Sequence, residues 1–237
     1  MVLEVHEPYL GTMNAPERVF VLSPATLAGV RGRRILGGDL AVAPFMERLA
    51  GGGDVPLADV YAVISSLYFR GKLGYARHFA RRRGVASGVL AVTPNRGLVP
   101  ADHPVSALDL RMLARTSIDP AEPGYVEPLL ESARALHREL GGDADVVLLG
   151  SIATDKYVGP LASVFSARLL VPRSFVGRGD MSRGALLLRA AAAGRELEYV
   201  AALEAPRRGP RPPKVGDDMR TGGNVAPASG TNPPPRS

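Results

Sequence analysis

Short apolar runs recur along the chain. Each ends in small or polar residues and is followed by a longer stretch mixing apolar and charged positions. Arg18–Leu22 (RVFVL), Val60–Ile64 (VYAVI), Val89–Thr93 (VLAVT) and Val146–Leu149 (VVLL) have the length and continuity of buried strands, with Arg168–Val171 a short fifth. Between them, Leu40–Leu49, Leu67–Arg83, Asp109–Thr116, Pro128–Leu140, Lys156–Phe165 and Ser182–Ala193 read as helices. Gly51–Gly53 and Gly141-Gly142 supply C-terminal stops, and Pro128 suits a helix start. Ala25–Gly38, with Arg31, Arg33 and Arg34, reads as a glycine- and arginine-rich loop. Strand, polar loop and helix in repeated succession predict an α/β fold: a mostly parallel sheet of about five strands in a three-layer, Rossmann-like arrangement.

The pattern changes at the ends. Residues 1–17 form an irregular lead-in, 18–204 a single α/β domain, and 205–237 a Pro/Gly/Arg-rich tail expected to be disordered. The tail holds six basic residues against Asp217 and Asp218, so it carries +4 of the chain's formal +6 and leaves +2 on the rest. A basic chain invites nucleic acid as a partner, but here the tail supplies most of the charge.

Apolar residues make up 46% of the 237 and charged residues 22%, which suits a cored protein and argues against wholesale disorder. There is no cysteine, so disulfides, thiolate metal sites, iron–sulfur clusters and cysteine nucleophiles are excluded. His6, His78, His103 and His137 stand apart without metal-binding spacing, so no metal ligands are assigned, although a carboxylate-bound magnesium stays open. No run is long enough to span a membrane. The start, MVLEVHEPYLGT, has neither a basic region nor an apolar core, so the expected location is the cytoplasm.

In an open α/β sheet, ligands bind beyond the C-terminal ends of the strands, and polar residues gather at those predicted ends. Ser23 follows the first strand. Ser65 and Ser66 follow VYAVI and precede Arg70 and Lys72, cations near a helix start, where a phosphate or carboxylate would compensate the dipole. In TPNRGLVP, Asn95 offers donor and acceptor and Arg96 a planar fork, suited to a base edge or an acidic group. GSIATDKY places Ser151, Asp155, Lys156 and Tyr157 on one strand-to-helix turn, a candidate acid–base or nucleophile constellation. FVGRGDMSRG adds Arg178, Asp180, Ser182 and Arg183 before the last apolar helix, with Asp180 or Ser182 a natural N-cap.

Asp109, Ser151, Tyr157 and Asp180 are the catalytic candidates. Ser23, Ser65, Arg70, Lys72, Asn95, Arg96, Lys156, Arg178 and Arg183 are the substrate-binding candidates. Helix and turn capping, or plain surface charge, is the competing explanation at each position. Neither a P-loop nor GxGxxG is present, so no cofactor is assigned.

Three segments, SSLYFRGKLGYARHFA, VTPNRGLVPADHPVSALDLRML and VVLLGSIATDKYVGPL, resemble a bacterial family of uncharacterised Rossmann-like α/β proteins. The matching positions are Tyr68, Ala76, Arg77, Gly97, Leu98, Asp109, Leu110, Gly150, Tyr157, Pro160 and Leu161, across roughly residues 18–172. VTPNRGLVP is also distantly similar to a segment in the lysine-transferring domain of archaeosine synthase, which acts on a modified guanine in transfer RNA. That enzyme's cysteine-bearing pattern has no counterpart here, where Ser23-Pro24 stands at the corresponding strand end. The resemblance implies a Rossmann-like fold and nucleobase or nucleotide chemistry.

The expected function is therefore an enzyme acting on a nucleotide, modified nucleobase or similar small anionic substrate. The alternative is a non-enzymatic nucleic-acid-binding protein using the α/β body and basic tail. A third reading is a scaffold or homo-oligomer joined through the Ser182–Ala193 helix.

Overall fold

The computed structural model describes residues 17–81, 88–141 and 144–210. The chain begins with β1 (Arg18–Leu22), α1 (Val30–Leu36), α2 (Met46–Ala50), β2 (Val55–Pro56), α3 (Leu57–Ile64) and α4 (Ser66–Phe79). The middle comprises β3 (Val89–Thr93), β4 (Gly97–Pro100), β5 (Pro104–Val105), α5 (Ala107–Arg115) and α6 (Pro123–Leu140). It closes with β6 (Asp145–Leu149), α7 (Asp155–Phe165), β7 (Leu169–Pro172), α8 (Asp180–Ala192) and β8 (Tyr199–Ala201).

Six strands form one sheet in the order β4-β3-β1-β6-β7-β8. The inner four run parallel, and antiparallel β4 and β8 close the two edges. A parallel sheet covered on both faces needs strands apolar on both sides, and RVFVL has them. Phe20 and Leu22 pack with residues of α3, α4 and α8, while Val19 and Val21 pack with residues of α6 and α7. After β1 the chain builds β3 on one side, then crosses to lay β6 on the other. The C-terminal ends of β1 and β6 therefore lie side by side, with Leu22 opposite Leu149, where the direction of winding reverses. Such a reversal opens a crevice.

Several expectations change. VYAVI is the second half of α3, not a strand: Leu57, Ala58, Val60 and Tyr61 are buried at helical spacing, and a five-residue apolar run does not distinguish the two periods. The expected sheet of about five strands is instead six, because β4 and β8 join it. TPNRGLVP is a β-hairpin rather than an open loop. Thr93 Oγ1 donates to the Gly97 carbonyl and accepts from the Arg96 amide, at 2.9 and 3.0 Å. Gly97 has φ +63°, and a Cβ there would fall 2.2 Å from the Pro128 carbonyl of α6.

Within the expected Ala25–Gly38 loop lies α1, and Leu40–Leu49 divides into a 3-10 turn and α2. Pro128 lies inside α6, with Pro123 at its start. The helix expected to Arg83 ends at Phe79, with Arg81 bridged in extended form to Arg18. Gly179, not Asp180 or Ser182, is the N-cap of α8. Most of the 1–17 lead-in and residues 211–237 of the expected disordered tail lie outside the described residues. Among the described residues, no helix is long and apolar enough to cross a membrane.

Helices α4 and α8 cross at a pair of glycines. A Cβ on Gly71 would meet the Gly184 carbonyl at 2.7 Å, and one on Gly184 would meet the Leu67 carbonyl at 2.8 Å. Only residues without side chains allow this approach. It brings Tyr68 and Lys72 of α4 next to Asp180 and Arg183 of α8, above the end of β1.

Candidate active site

Ser23 is the first residue beyond β1. Its amide donates to the Leu149 carbonyl at 3.2 Å, which holds the ends of β1 and β6 together. Lys72 reaches it from the second turn of α4. Its Nζ donates to the Ser23 carbonyl and, at 2.9 Å, to Ser23 Oγ, whose hydroxyl in turn donates to the Leu149 carbonyl at 3.4 Å. Lys72 is 1% exposed and Ser23 5%. The Nζ also sits 4.5 Å from the Tyr68 ring centre and 4.9 Å from that of Phe69, on the electron-rich aromatic faces. Burial pulls the Lys72 pKa down to about 7; Asp180 opposes that shift and Arg183 adds to it.

The neighbouring hydroxyls are shifted the other way. Burial pushes the Tyr68 phenol above its ordinary value, with Arg183 opposing. Burial, and then the Asp180 carboxylate, push Tyr157 up to about 12. Both phenols therefore stay protonated, as donors. Arg183 is 6% exposed and donates from Nε and Nη2 to the Phe175 carbonyl at 3.3 and 3.2 Å. It also stands 3.5 Å from Asp180, which projects from the first turn of α8.

Two cavities open around the segment that follows β1. The first, about 490 Å³, is lined by Ser23, Ser65, Tyr68, Ser151, Tyr157 and Asp180, together with residues 24–26 and 29–31 and Ile64. The second, about 430 Å³, has Arg115, Thr116, Ser117 and Lys156 in its wall, with Leu113, Ile118, Tyr61 and Pro94 among its apolar lining. They share Pro24, Ala25, Thr26 and Tyr157. Their charges are segregated: Arg31 and Asp180 balance in the first, whereas Arg115 and Lys156 line the second and no acidic residue is in its lining.

The sequence candidates sort accordingly. Ser23, Ser65, Ser151, Tyr157 and Asp180 line the first cavity, Lys156 the second, and Lys72 and Arg183 lie directly behind the first. The remaining candidates stand elsewhere. Asp109 completes a capping box with Ser106 at the start of α5 and pairs with Arg96. The Ser106 amide, its hydroxyl and Arg96 hold that carboxyl below the usual range. Asn95 lies in the hairpin turn with its Oδ1 buried and unpartnered. Arg70 is exposed on α4 and lines neither cavity. Arg178 donates to the Ser174 carbonyl and to Ser182 Oγ.

Tyr68, Arg31 and Arg115 were not among the sequence candidates. Arg31 had a signal, the arginine-rich segment after the first strand. Arg115 had none, because it closes an otherwise ordinary amphipathic helix. Among the described residues, no three histidine, aspartate or glutamate side chains gather as a metal ion would require. Comparison with protein families, with curated proteins and with solved structures finds no match for this chain.

Proposed function

We propose that the chain is an enzyme acting on a small anionic substrate of the nucleotide or modified-nucleobase kind, bound across the two cavities beyond β1 and β6. In this reading the sheet and its two helical coverings are a three-layer, Rossmann-like scaffold, and the cleft sits at its winding reversal, where such scaffolds bind ligands. The carrying observation is the charge segregation. Arg115 and Lys156 line one cavity with no carboxylate in its lining, and Ser65 and Ser151 line the other, with Tyr157 common to both. A phosphate or carboxylate fits the cationic lobe. A polar ring or carbonyl fits the hydroxyl-lined one, whose groups donate and accept without adding net charge. The sequence resemblance to Rossmann-like proteins and to a domain acting on a modified guanine supports the same substrate class.

The test is a thermal-shift series on the full chain with nucleoside monophosphates, free nucleobases, sugar phosphates and amino acids. A ligand at 100 times its Kd stabilises by about 2.7 kcal/mol, a shift of several degrees in melting temperature. One phosphate-bearing class should give this shift, and Arg115→Ala with Lys156→Ala should abolish it while leaving the unliganded melting temperature within about a degree. An equal shift in the double variant would place the anion elsewhere and remove the basis of this reading.

A further inference from the structure

We propose that Ser23 is a nucleophile and Lys72 its general base, a dyad that transfers acyl groups from esters or amides whose anionic portion rests in the Arg115–Lys156 lobe. This rests on the reading of the cleft given above and adds to it the reacting atoms. Ser23 is part of the cavity lining, and Lys72 Nζ stands 2.9 Å from its Oγ without belonging to that lining. A base that shares a hydrogen bond with the nucleophile and is screened from solvent is the arrangement that hydroxyl activation requires.

The amine's bonding fits its neutral form. A neutral Nζ has two N–H donors and one lone pair. In the resting arrangement Nζ donates to the Ser23 carbonyl and to Ser23 Oγ, while the Ser23 hydroxyl donates to the Leu149 carbonyl at a long 3.4 Å. Turning the hydroxyl onto the amine lone pair gives up only that long bond, and the bond to the Ser23 carbonyl keeps the amine in place. The charged groups around Nζ are Asp180 and Arg183, both on α8. Tyr68 of its own helix and Tyr157 of α7 complete the titratable surroundings, and both remain neutral phenols. Asp180 and Arg183 pull in opposite directions, so burial decides the shift and brings the pKa to about 7, where an appreciable share of the amine is free at neutral pH.

The charge in the cavity selects acyl over phosphoryl chemistry. Asp180 stands on the same wall as Ser23 and would repel a dianionic phosphoryl group at the point of attack. A neutral carbonyl meets no such repulsion, and the substrate's negative charge is held in the lobe next door.

The step balances without a cofactor. Ser23 Oγ forms a bond to the carbonyl carbon as its proton passes to Lys72 Nζ. Collapse of the tetrahedral adduct breaks the bond to the alcohol or amine leaving group, which takes the proton from Lys72. Water then adds to the acyl-serine, giving its proton to the same amine. As that adduct collapses, Ser23 Oγ leaves and takes the proton from Lys72, releasing the acid and restoring both residues.

A fluorophosphonate probe tests this on the full chain, since it reacts with activated serines by forming an O–P bond and expelling fluoride. Peptide mapping by mass spectrometry should find the label on Ser23. The labelling rate should rise about tenfold per pH unit up to about pH 7 and then level, as the Lys72 amine loses its proton. Ser23→Ala should remove the label, and Lys72→Met and Lys72→Arg should each slow it at least a hundredfold, the arginine variant keeping the charge but accepting no proton. Melting curves recorded on every variant restrict the comparison to folded protein. Absence of label on Ser23 at any pH, or equal rates in folded Lys72→Met, overturns the dyad. If ligands still shift the melting temperature in that case, the cleft stands as a binding site and only the dyad fails. If Ser23 is labelled but no anionic ligand shifts melting, the dyad stands and the substrate assignment fails.

Discussion

A lysine that is 1% exposed carries a desolvation penalty whenever it is protonated, and that penalty is visible in stability as well as in chemistry. The Lys72 pKa falls from 10.5 in the open chain to about 7 in the folded one. Between these values the unfolded chain binds one more proton than the folded chain, so stability must rise with pH there, by up to about 1.4 kcal/mol per unit. Below about 7 both states hold the proton and the burial penalty acts in full. Denaturant titrations at pH 7, 8 and 9 should show this rise, and Lys72→Met should flatten it across the same window. A wild-type curve no steeper than that of the variant would mean the amine is not desolvated as the structure shows. Ser23, Ser65 and Ser151 were legible as site candidates because they follow apolar runs. Lys72 was read as a substrate-binding candidate, but its contact with Ser23 was not legible: that bond spans 49 residues, and no local pattern encodes it. Asp109 was legible in a different sense, since Ser106 and Asp109 have the spacing of a capping box, and its carboxylate is used there.

At the scale of elements, the α4–α8 crossing decides whether the cleft keeps its shape. A Cβ at position 184 would meet the Leu67 carbonyl at 2.8 Å and Tyr68 Cα at 2.9 Å, both backbone, so the helices must separate. Gly184→Ala should therefore cost about 1–3 kcal/mol and pull Asp180 and Arg183 away from Lys72. Gly74→Ala, on the exposed side of α4 with nothing within 4 Å, should instead stabilise by roughly 0.5–1 kcal/mol through helix propensity alone. Measuring the two together separates the close approach from any general effect of removing glycine. The strands β1, β3, β6 and β7 could be read from continuous apolar runs, because a strand covered on both faces has no other pattern available. The run VYAVI looked the same and belongs to a helix, since its partners Leu57 and Ala58 lie just before it. Strands β4 and β8 escaped notice because edge strands are short and carry proline, glycine or partly exposed residues that read as loop.

Across the whole molecule, the two ends of the parallel strands carry different sets of side chains. At the N-terminal end, Arg18 bonds Asp145 at 2.8 Å and Glu196 at 2.5 Å, and Arg81 adds a second cation to Glu196 at 3.1 Å. Tyr199 donates to Glu196 at 3.0 Å and shares a 2.7 Å bond with Tyr75, which accepts from the Leu197 amide. This network ties β1, β6 and the segment entering β8. The opposite end has serines, one buried amine and two cavities. Removing a charge from the Arg18 network should therefore act on stability alone. Arg18→Met strands Asp145 and Glu196 with reduced compensation and should cost about 3 kcal/mol, part of it returned as pH falls and the carboxylates take up protons. Its ligand-induced thermal shift should match that of the parent chain, because the substitution sits at the far end of β1 from Ser23. A loss of ligand response in folded Arg18→Met would show that the two ends are coupled through β1, and the division of the sheet into a structural end and a chemical end would then be untenable.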